Sequence, residues 1–269
     1  MTVTKAKLTK QFNIRNLFFV FLLAFGPYLS SDSLMQAITS EYRDPKNILR
    51  DEYRNPHETL TFFGIEPSMK VVELSPGGGW YTEILANYLY DSGELIAAHF
   101  DENSNNNYFR KSRKNYEKKM NSNPIYKNVK IVNLTSKLST PKSVDAVLTF
   151  RNLHNWLGPN MDSIFANSFK ALKSGGIFGV VEHRAEAGTS IQKMKKSGYV
   201  TEEHAIEIAK KHGFVLVSKS EINSNPKDLK NYEKGVWTLP PSFRLKEKNK
   251  EKYLAIGESD RMTLLFKKP

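Results

Sequence analysis

The chain has 269 residues, 39% of them hydrophobic, enough for one sizeable core, and it contains no cysteine, which excludes disulfides, thiolate nucleophiles and cysteine-ligated zinc. Lys+Arg 40 against Asp+Glu 28 gives a formal charge of +12. The lysines are nevertheless scattered or gathered in polar stretches (residues 111–119 and 246–252), without a basic stripe interleaved with aromatics, so no nucleic-acid partner is expected.

At the N-terminus, Lys5, Lys7, Lys10 and Arg15 precede the apolar run LFFVFLLAF (residues 17–25), which is followed by Gly26-Pro27 and the small residues Ser30, Ser31 and Ser33. Basic flank, short apolar segment and small residues together describe a secretory signal peptide over residues 1–33, or an N-terminal membrane anchor if it stays uncleaved. The run falls short of the roughly 20 apolar residues of a comfortable membrane span. The expectation is a bacterial exported protein, periplasmic or secreted.

Residues 34–269 read as a single domain. Residues 34–64 form a helical cap cut by Pro45 and Pro56, with Arg43, Arg50, Arg54 and His57 among its apolar positions, where they either cover an anionic group of a ligand or substrate or form solvated helix faces. From residue 70 onward, apolar runs alternate with helical spacings. Strands are predicted at 70–74, 94–100, 129–132, 144–150, 177–182, 214–220 and 262–266. Helices are predicted at 80–90, 108–120, 161–172 (ending at Ser174-Gly175-Gly176) and 201–213. This alternation predicts an α/β fold: a Rossmann-like, seven-stranded, mostly parallel sheet with helices on both faces and a last antiparallel strand. A long insertion, residues 221–260, precedes that strand. Its "GVWTLPPSFRL" favours an ordered lid, in which Tyr232 and Trp237 either cover substrate or form a small core of their own.

Within VVELSPGGGWYTEIL (residues 71–85) an apolar strand breaks into three glycines and resumes as a helix. Strand, glycine turn and helix bring backbone N–H groups against whatever occupies the turn, and glycines permit close approach and positive φ. The segment is neither a Walker G-x-x-x-x-G-K-[ST] nor G-x-G-x-x-G, and Ser75 lies outside any G-x-S-x-G. Trp80 and Tyr81 beside the turn suit an adenosine or amino-acid moiety better than a pyrophosphate.

This segment resembles the first motif of class I S-adenosylmethionine-dependent methyltransferases. "SVDAVLTFRNLHNW" is similar to their fourth strand and its loop, and "FKALKSGGIFGVVEHR" to their helix, turn and fifth strand. More narrowly, "RNLHNW" and "GVWTLPPSFRL…YLAIGESDRMTL" are similar to a bacterial group of predicted methyltransferases that often carry signal peptides. The resemblance implies S-adenosylmethionine as cofactor, held by Glu73, Ser75, Gly77, Gly78 and Gly79, with Asn152 beside them. The acid that usually holds the ribose hydroxyls aligns with His99, so Asp101, two positions on, is the candidate for that role. The adenine-side acid is replaced by the uncharged Asn133, Thr135 and Ser136.

His154, His183 and Arg184 follow two parallel strands at the edge where open α/β sheets bind ligands, and are the candidate catalytic residues, a histidine serving as general base. The alternative for each is a packing or ion-pairing role, with Glu182 or Asp145 as the partner of Arg184. With Glu182 the histidines also offer metal-ligand chemistry, but no H-E-x-x-H is present and no metal is expected. The reaction expected is methyl transfer to a small-molecule acceptor. The alternative is an exported, non-catalytic adenosyl-ligand-binding protein of the same fold.

Overall fold

The computed structural model describes residues 1–2 and 28–269, with side chains of the first helix described from Ser33 onward. The apolar leader run therefore lies outside the described residues. Among the described residues, no helix is long and apolar enough to cross a membrane.

Seven strands, β1 (Lys70–Leu74), β2 (Glu94–His99), β3 (Lys130–Asn133), β4 (Val144–Phe150), β5 (Leu172–His183), β6 (Val215–Ser220) and β7 (Arg261–Lys267), form one sheet in the order β3-β2-β1-β4-β5-β7-β6. β7 is antiparallel to both of its neighbours, and the other pairings are parallel. The expected sheet is the one observed.

Both faces of the sheet are covered, which is why its strands read as nearly continuous apolar runs. Val71, Leu95, Ala97, Ala146 and Leu148 pack against the cap helices and helices Trp80–Tyr88 and Asn107–Met120. Val72, Leu74, Ile96, Ala98 and Val147 pack on the opposite side against helices Pro159–Ala171 and Glu202–Lys211. Successive residues of one strand thus serve two cores, as the two-residue period requires.

The cap consists of Tyr28–Ile38 and three short helices, Pro45–Ile48, Asp51–Arg54 and Pro56–Phe62, with prolines opening two of the short ones. It is clamped to the helix after the glycines: Trp80 Nε1 donates to the Asn47 carbonyl at 2.9 Å, and the guanidinium of Arg54 lies 4.5 Å from the Trp80 ring centre.

The largest boundary difference from expectation precedes β5. The helix before β5 ends at Ala171, and Leu172 already pairs with Val144. Ser174-Gly175-Gly176 therefore lies inside an irregular start of β5, where Gly175 N–H donates to Lys268 O and Lys268 N–H to Gly176 O. These bonds to the chain beyond β7 recruit the turn into the sheet.

Residues 221–260 are ordered and carry a 3-10 turn, Gly235–Thr238, and a helix, Lys250–Ile256. Because β7 runs against β5, the end of this insertion arrives at the carboxyl edge of the parallel strands, and Arg261 sits opposite His183.

Candidate functional site

β1 and β4 are adjacent, while their connections lead to opposite sides of the sheet, so the crevice beyond their carboxyl ends is the topological switch point of the fold. Both ends leave in unusual conformations: Ser75 has φ +49 and Arg151 φ +63, left-handed backbone that non-glycine residues adopt at a cost. The surroundings fix them there. Ser75 N–H donates to Ala98 O, Arg151 N–H to Val181 O, and Asn152 Nδ2 lies 3.2 Å from the carbonyls of Leu74, Ser75 and Phe150. Asn152 is the rivet between the two loops.

Gly77 has φ +61 and Gly79 φ +82, which explains glycine at these two positions. Gly78 has no such reason. A Cβ added at Gly77 or Gly78 would meet no protein atom within 4 Å, so protein packing does not demand a bare backbone at 78. Two hollows meet at the pair: one of about 200 Å³ bordered by Arg50, Arg54, Ser75, Trp80 and Arg151, the other of about 320 Å³ bordered by Tyr108, Ser112, Asn115 and Tyr116. A third, larger depression of about 680 Å³ opens beyond Gly78, between the cap and helix Asn107–Met120.

Glu73 lies below the turn, buried, and its Oε2 accepts from Thr82 Oγ1 at 2.6 Å, with the Tyr116 hydroxyl 3.1 Å from the same Oγ1. Burial pushes its carboxyl up to about 7, against the opposing pulls of Thr82 and Lys119. His99, at the end of β2, accepts from Phe100 N–H on Nδ1 at 2.7 Å and has Nε2 3.2 Å from Gly77 O. That pairing sets the neutral tautomer with the proton on Nε2, and burial lowers its pKa to about 4. Both ring nitrogens are thereby committed to the protein's own loops. Asp101 is exposed, and its Oδ1 caps a turn by accepting from Asn103 N–H.

Arg50 and Arg54, candidates from the sequence to face an anion, join a cluster whose other members the sequence did not point to. Four guanidiniums converge on the buried carboxylate of Glu258: Arg50 Nε at 2.7 Å, Arg54 Nε at 3.3 Å, and Arg151 Nη1 and Arg261 Nη1 at 3.4 Å each. Although burial acts in the opposite direction, the arginines hold the Glu258 carboxyl down to about 2. Arg54 is 2% exposed and its Nη2 has no hydrogen-bond partner; burial and the neighbouring guanidiniums pull its pKa well below the ordinary range. Ser75 Oγ is a second buried polar atom without a partner. Both residues border the 200 Å³ hollow. Arg43, by contrast, is spent on a bidentate pair with Asp51.

At the next strand end, Glu182 is fully buried and accepts three hydrogen bonds, from Leu153 N–H, from His183 N–H at 2.8 Å and from His154 Nδ1 at 2.9 Å. An ionised carboxylate only accepts, so Nδ1 of His154 carries the proton, and in the neutral ring Nε2 is the free lone pair. Among the described residues Nε2 has no partner. The rings of His154 and His183 are 5.2 Å apart, Trp237 of the insertion makes an edge contact with His154 at 5.9 Å, and the Arg244 guanidinium lies 4.3 Å from the Trp237 ring centre. His183 Nδ1 pairs with Ser259 Oγ, and burial, followed by the charges of its neighbours, lowers its pKa far enough to keep it neutral.

Ligand atoms of His154, Glu182 and His183 lie within 4.8 Å of one another, a convergence that the sequence spacing did not reveal. Each Glu182 oxygen, however, already accepts a backbone N–H.

Arg184 is placed differently from the two histidines. Its guanidinium is shared among Asp260 (2.9 and 3.0 Å), Glu221 (2.7 and 2.8 Å) and Glu202 (3.1 Å). It anchors both ends of the insertion. Tyr232 packs on Tyr253 and takes Leu229 N–H on its hydroxyl, so it belongs to the insertion's own core, whereas Trp237 touches the histidine.

No protein-family model matches the chain, and no curated protein matches it significantly. Solved structures match its fold over up to 89% of the chain. A SAM-dependent methyltransferase from Aquifex aeolicus superimposes with a TM-score of 0.56 at 14% identity, over 89% of this chain and 98% of that one. Geranyl diphosphate C-methyltransferase from Streptomyces coelicolor, crystallised with Mg2+, geranyl diphosphate and S-adenosyl-L-homocysteine, gives 0.58 at 10% identity, over 87% of each chain. The chain therefore has the fold of class I methyltransferases.

Proposed function

We propose that the chain binds S-adenosylmethionine at the Gly77–Gly79 turn and transfers its methyl group to a small-molecule acceptor. Gly78 carries this reading: its conformation and packing leave the residue type unexplained until a ligand backs onto it. The surroundings fit the methionine end of such a ligand. Ser75 Oγ is buried without a partner beside the turn and suits the ammonium of such a ligand. The ribose end fits less closely, because His99 is consumed by Gly77 and Phe100 and leaves the exposed Asp101 and Glu102 as the acids in that stretch of loop. On this reading, affinity is concentrated at the methionine end.

Bound there, the cofactor supplies a sulfonium methyl open to in-line displacement. The chain's own contribution is alignment and proton removal. Phe150, stacked on Tyr81 at 3.5 Å, walls the crevice, and Trp237 shields His154 from water. His154 Nε2 takes the acceptor's proton while Glu182 holds the ring through Nδ1. His183 and Ser259 fix the floor beneath it, and Arg184 keeps the insertion closed. The oriented histidine favours turnover over a purely ligand-binding role.

Calorimetry with S-adenosylmethionine and S-adenosylhomocysteine tests the reading, and absence of binding by both at millimolar concentration would overturn it. The leader in residues 1–33 leads us to propose export as well. Fractionation of cells that express the full chain checks this, and a full-length product in the cytoplasm would refute it.

A further inference from the structure

We infer that the methyl acceptor is an oxyanion, a carboxylate or a phosphate ester, whose charged group is gripped by Arg54 and Arg151 beside Glu258. The inference rests on the methyl-transfer reading and adds the substrate class to it.

Charge balance is the first argument. Arg50, Arg54, Arg151 and Arg261 crowd the edge of the crevice, and among the described residues the one carboxylate in contact with all four is that of Glu258, which leaves three positive charges in excess. Glu73, in the adjoining wall, is held up to about 7 by burial and supplies only part of a negative charge at neutral pH. The proposed cofactor does not correct the imbalance. Its carboxylate is offset by its own ammonium, and the sulfonium adds a further positive charge. Guanidiniums withdrawn from water without counter-ions are costly, so the excess calls for a second, anionic occupant.

Geometry is the second argument. Arg54 is 2% exposed with Nη2 unpartnered, a buried donor that a ligand anion would satisfy. Arg151 is held in left-handed backbone by Val181 O and Asn152, which sets its side chain along the same hollow as Arg54. Planar guanidinium forks match carboxylate and phosphate oxygens equally well, and a hollow of about 200 Å³ accommodates either group. His154, the proposed base, stands at the neighbouring strand end, and the arginine charges reach His183 beside it. The handle and the base thus belong to one crevice.

An anion in this place interacts with the sulfonium of the cofactor but not with the neutral thioether of its demethylated product. Calorimetry on the full chain, with S-adenosylmethionine and with S-adenosylhomocysteine, is therefore repeated in inorganic phosphate, in acetate, and in chloride at matched ionic strength. The expected result is that phosphate or acetate tightens S-adenosylmethionine about tenfold more than S-adenosylhomocysteine. The effective anion tells a phosphate ester from a carboxylate. Arg151→Asn, which tolerates the left-handed backbone, should abolish the difference, and Arg50→Gln serves if that variant does not fold. Equal responses of the two ligands, a response no larger than that to chloride, or anions that weaken both ligands would overturn the inference; the last result would mean that the arginines serve only the cofactor's carboxylate. If neither ligand binds, the methyl-transfer reading falls, and an Arg151-dependent thermal shift in phosphate or acetate still decides whether the pocket takes an anion.

Discussion

Thr82 donates its hydroxyl to Glu73 at 2.6 Å, joining the end of β1 to the first turn of the following helix across the glycines. This is the only hydrogen bond to the Glu73 carboxylate among the described residues, and the group is otherwise desolvated. Its carboxyl therefore binds protons more tightly folded than unfolded. Between an ordinary carboxylate pKa and about 7 the native state holds the extra proton, so stability falls as pH rises through that window and stays reduced above it. Glu73→Gln should raise the melting temperature by several degrees at pH 8 and change it little at pH 5. Thermal melts across pH check this, and a variant equally altered at both pH values would contradict it.

Gly78 separates ligand space from packing. Gly78→Ala adds a methyl that meets no protein atom and strains no positive φ, so stability should be unchanged or improved by about 0.5 kcal/mol. Affinity for S-adenosylmethionine should nevertheless fall at least about tenfold, because the methyl occupies the surface against which the ligand lies. Calorimetry beside a melting curve tests both halves of the statement.

His154→Gln should leave cofactor binding intact and lower kcat about 100-fold, the usual worth of a general base, for any acceptor that loses a proton. Glu182→Gln should do similar damage for a different reason. Glu182 accepts three donors, and an amide turns one acceptor into a donor facing N–H groups, so destabilisation of about 1–3 kcal/mol should accompany the slower turnover. Steady-state kinetics and denaturant titration of the two variants distinguish these causes.

Glu258→Gln removes the single carboxylate that faces four guanidiniums. Breaking such a buried arrangement should cost about 3–5 kcal/mol. Added phosphate should restore more of the melting temperature in the variant than it adds to the wild type. Equal responses in a thermal-shift titration would show that the arginines do not need the charge.

Arg184→Ala should loosen residues 221–260 and expose them to protease while the rest of the chain stays protected, because the guanidinium ties Glu202, Glu221 and Asp260 together. Limited proteolysis followed by mass analysis is the check. Lost turnover with unchanged protection would give Arg184 a direct part in the reaction.

The sheet was readable because its parallel strands are buried on both faces, so that 70–74 and 144–150 stand out as unbroken apolar runs. The glycine turn announced itself by composition, and the strand-end rule alone put His154 and His183 on one edge. The Glu258 cluster was out of reach for a definite reason. Arg50 and Glu258 are 208 residues apart, and only the reversed direction of β7 carries residues 258–261 to the cap. Arg184 is the converse case: an arginine at a strand end looks catalytic until Glu202, Glu221 and Asp260 arrive from three other segments to occupy it. His99 stands where an acid was expected, and its purpose appears only when Gly77 O and Phe100 N–H are found on its two nitrogens.

The reversed strand also makes the insertion a replaceable cassette. Asn225 Nδ2 grips the carbonyls of Ile256 and Glu258, and Asp228 accepts Asp260 N–H, so the two ends of the segment are knotted to each other independently of the stretch between them. The tip, from residue 229 to 249, is joined to this base chiefly through Lys230, which pairs with Asp260 at 3.0 Å, and through Tyr232 on Tyr253. Trp237 lies within that tip, and the arginine cluster lies outside it. On the proposed reading, the insertion's tip supplies Trp237 to the crevice, while Arg151 and Arg261 of the charged cluster are fixed at the ends of β4 and β7.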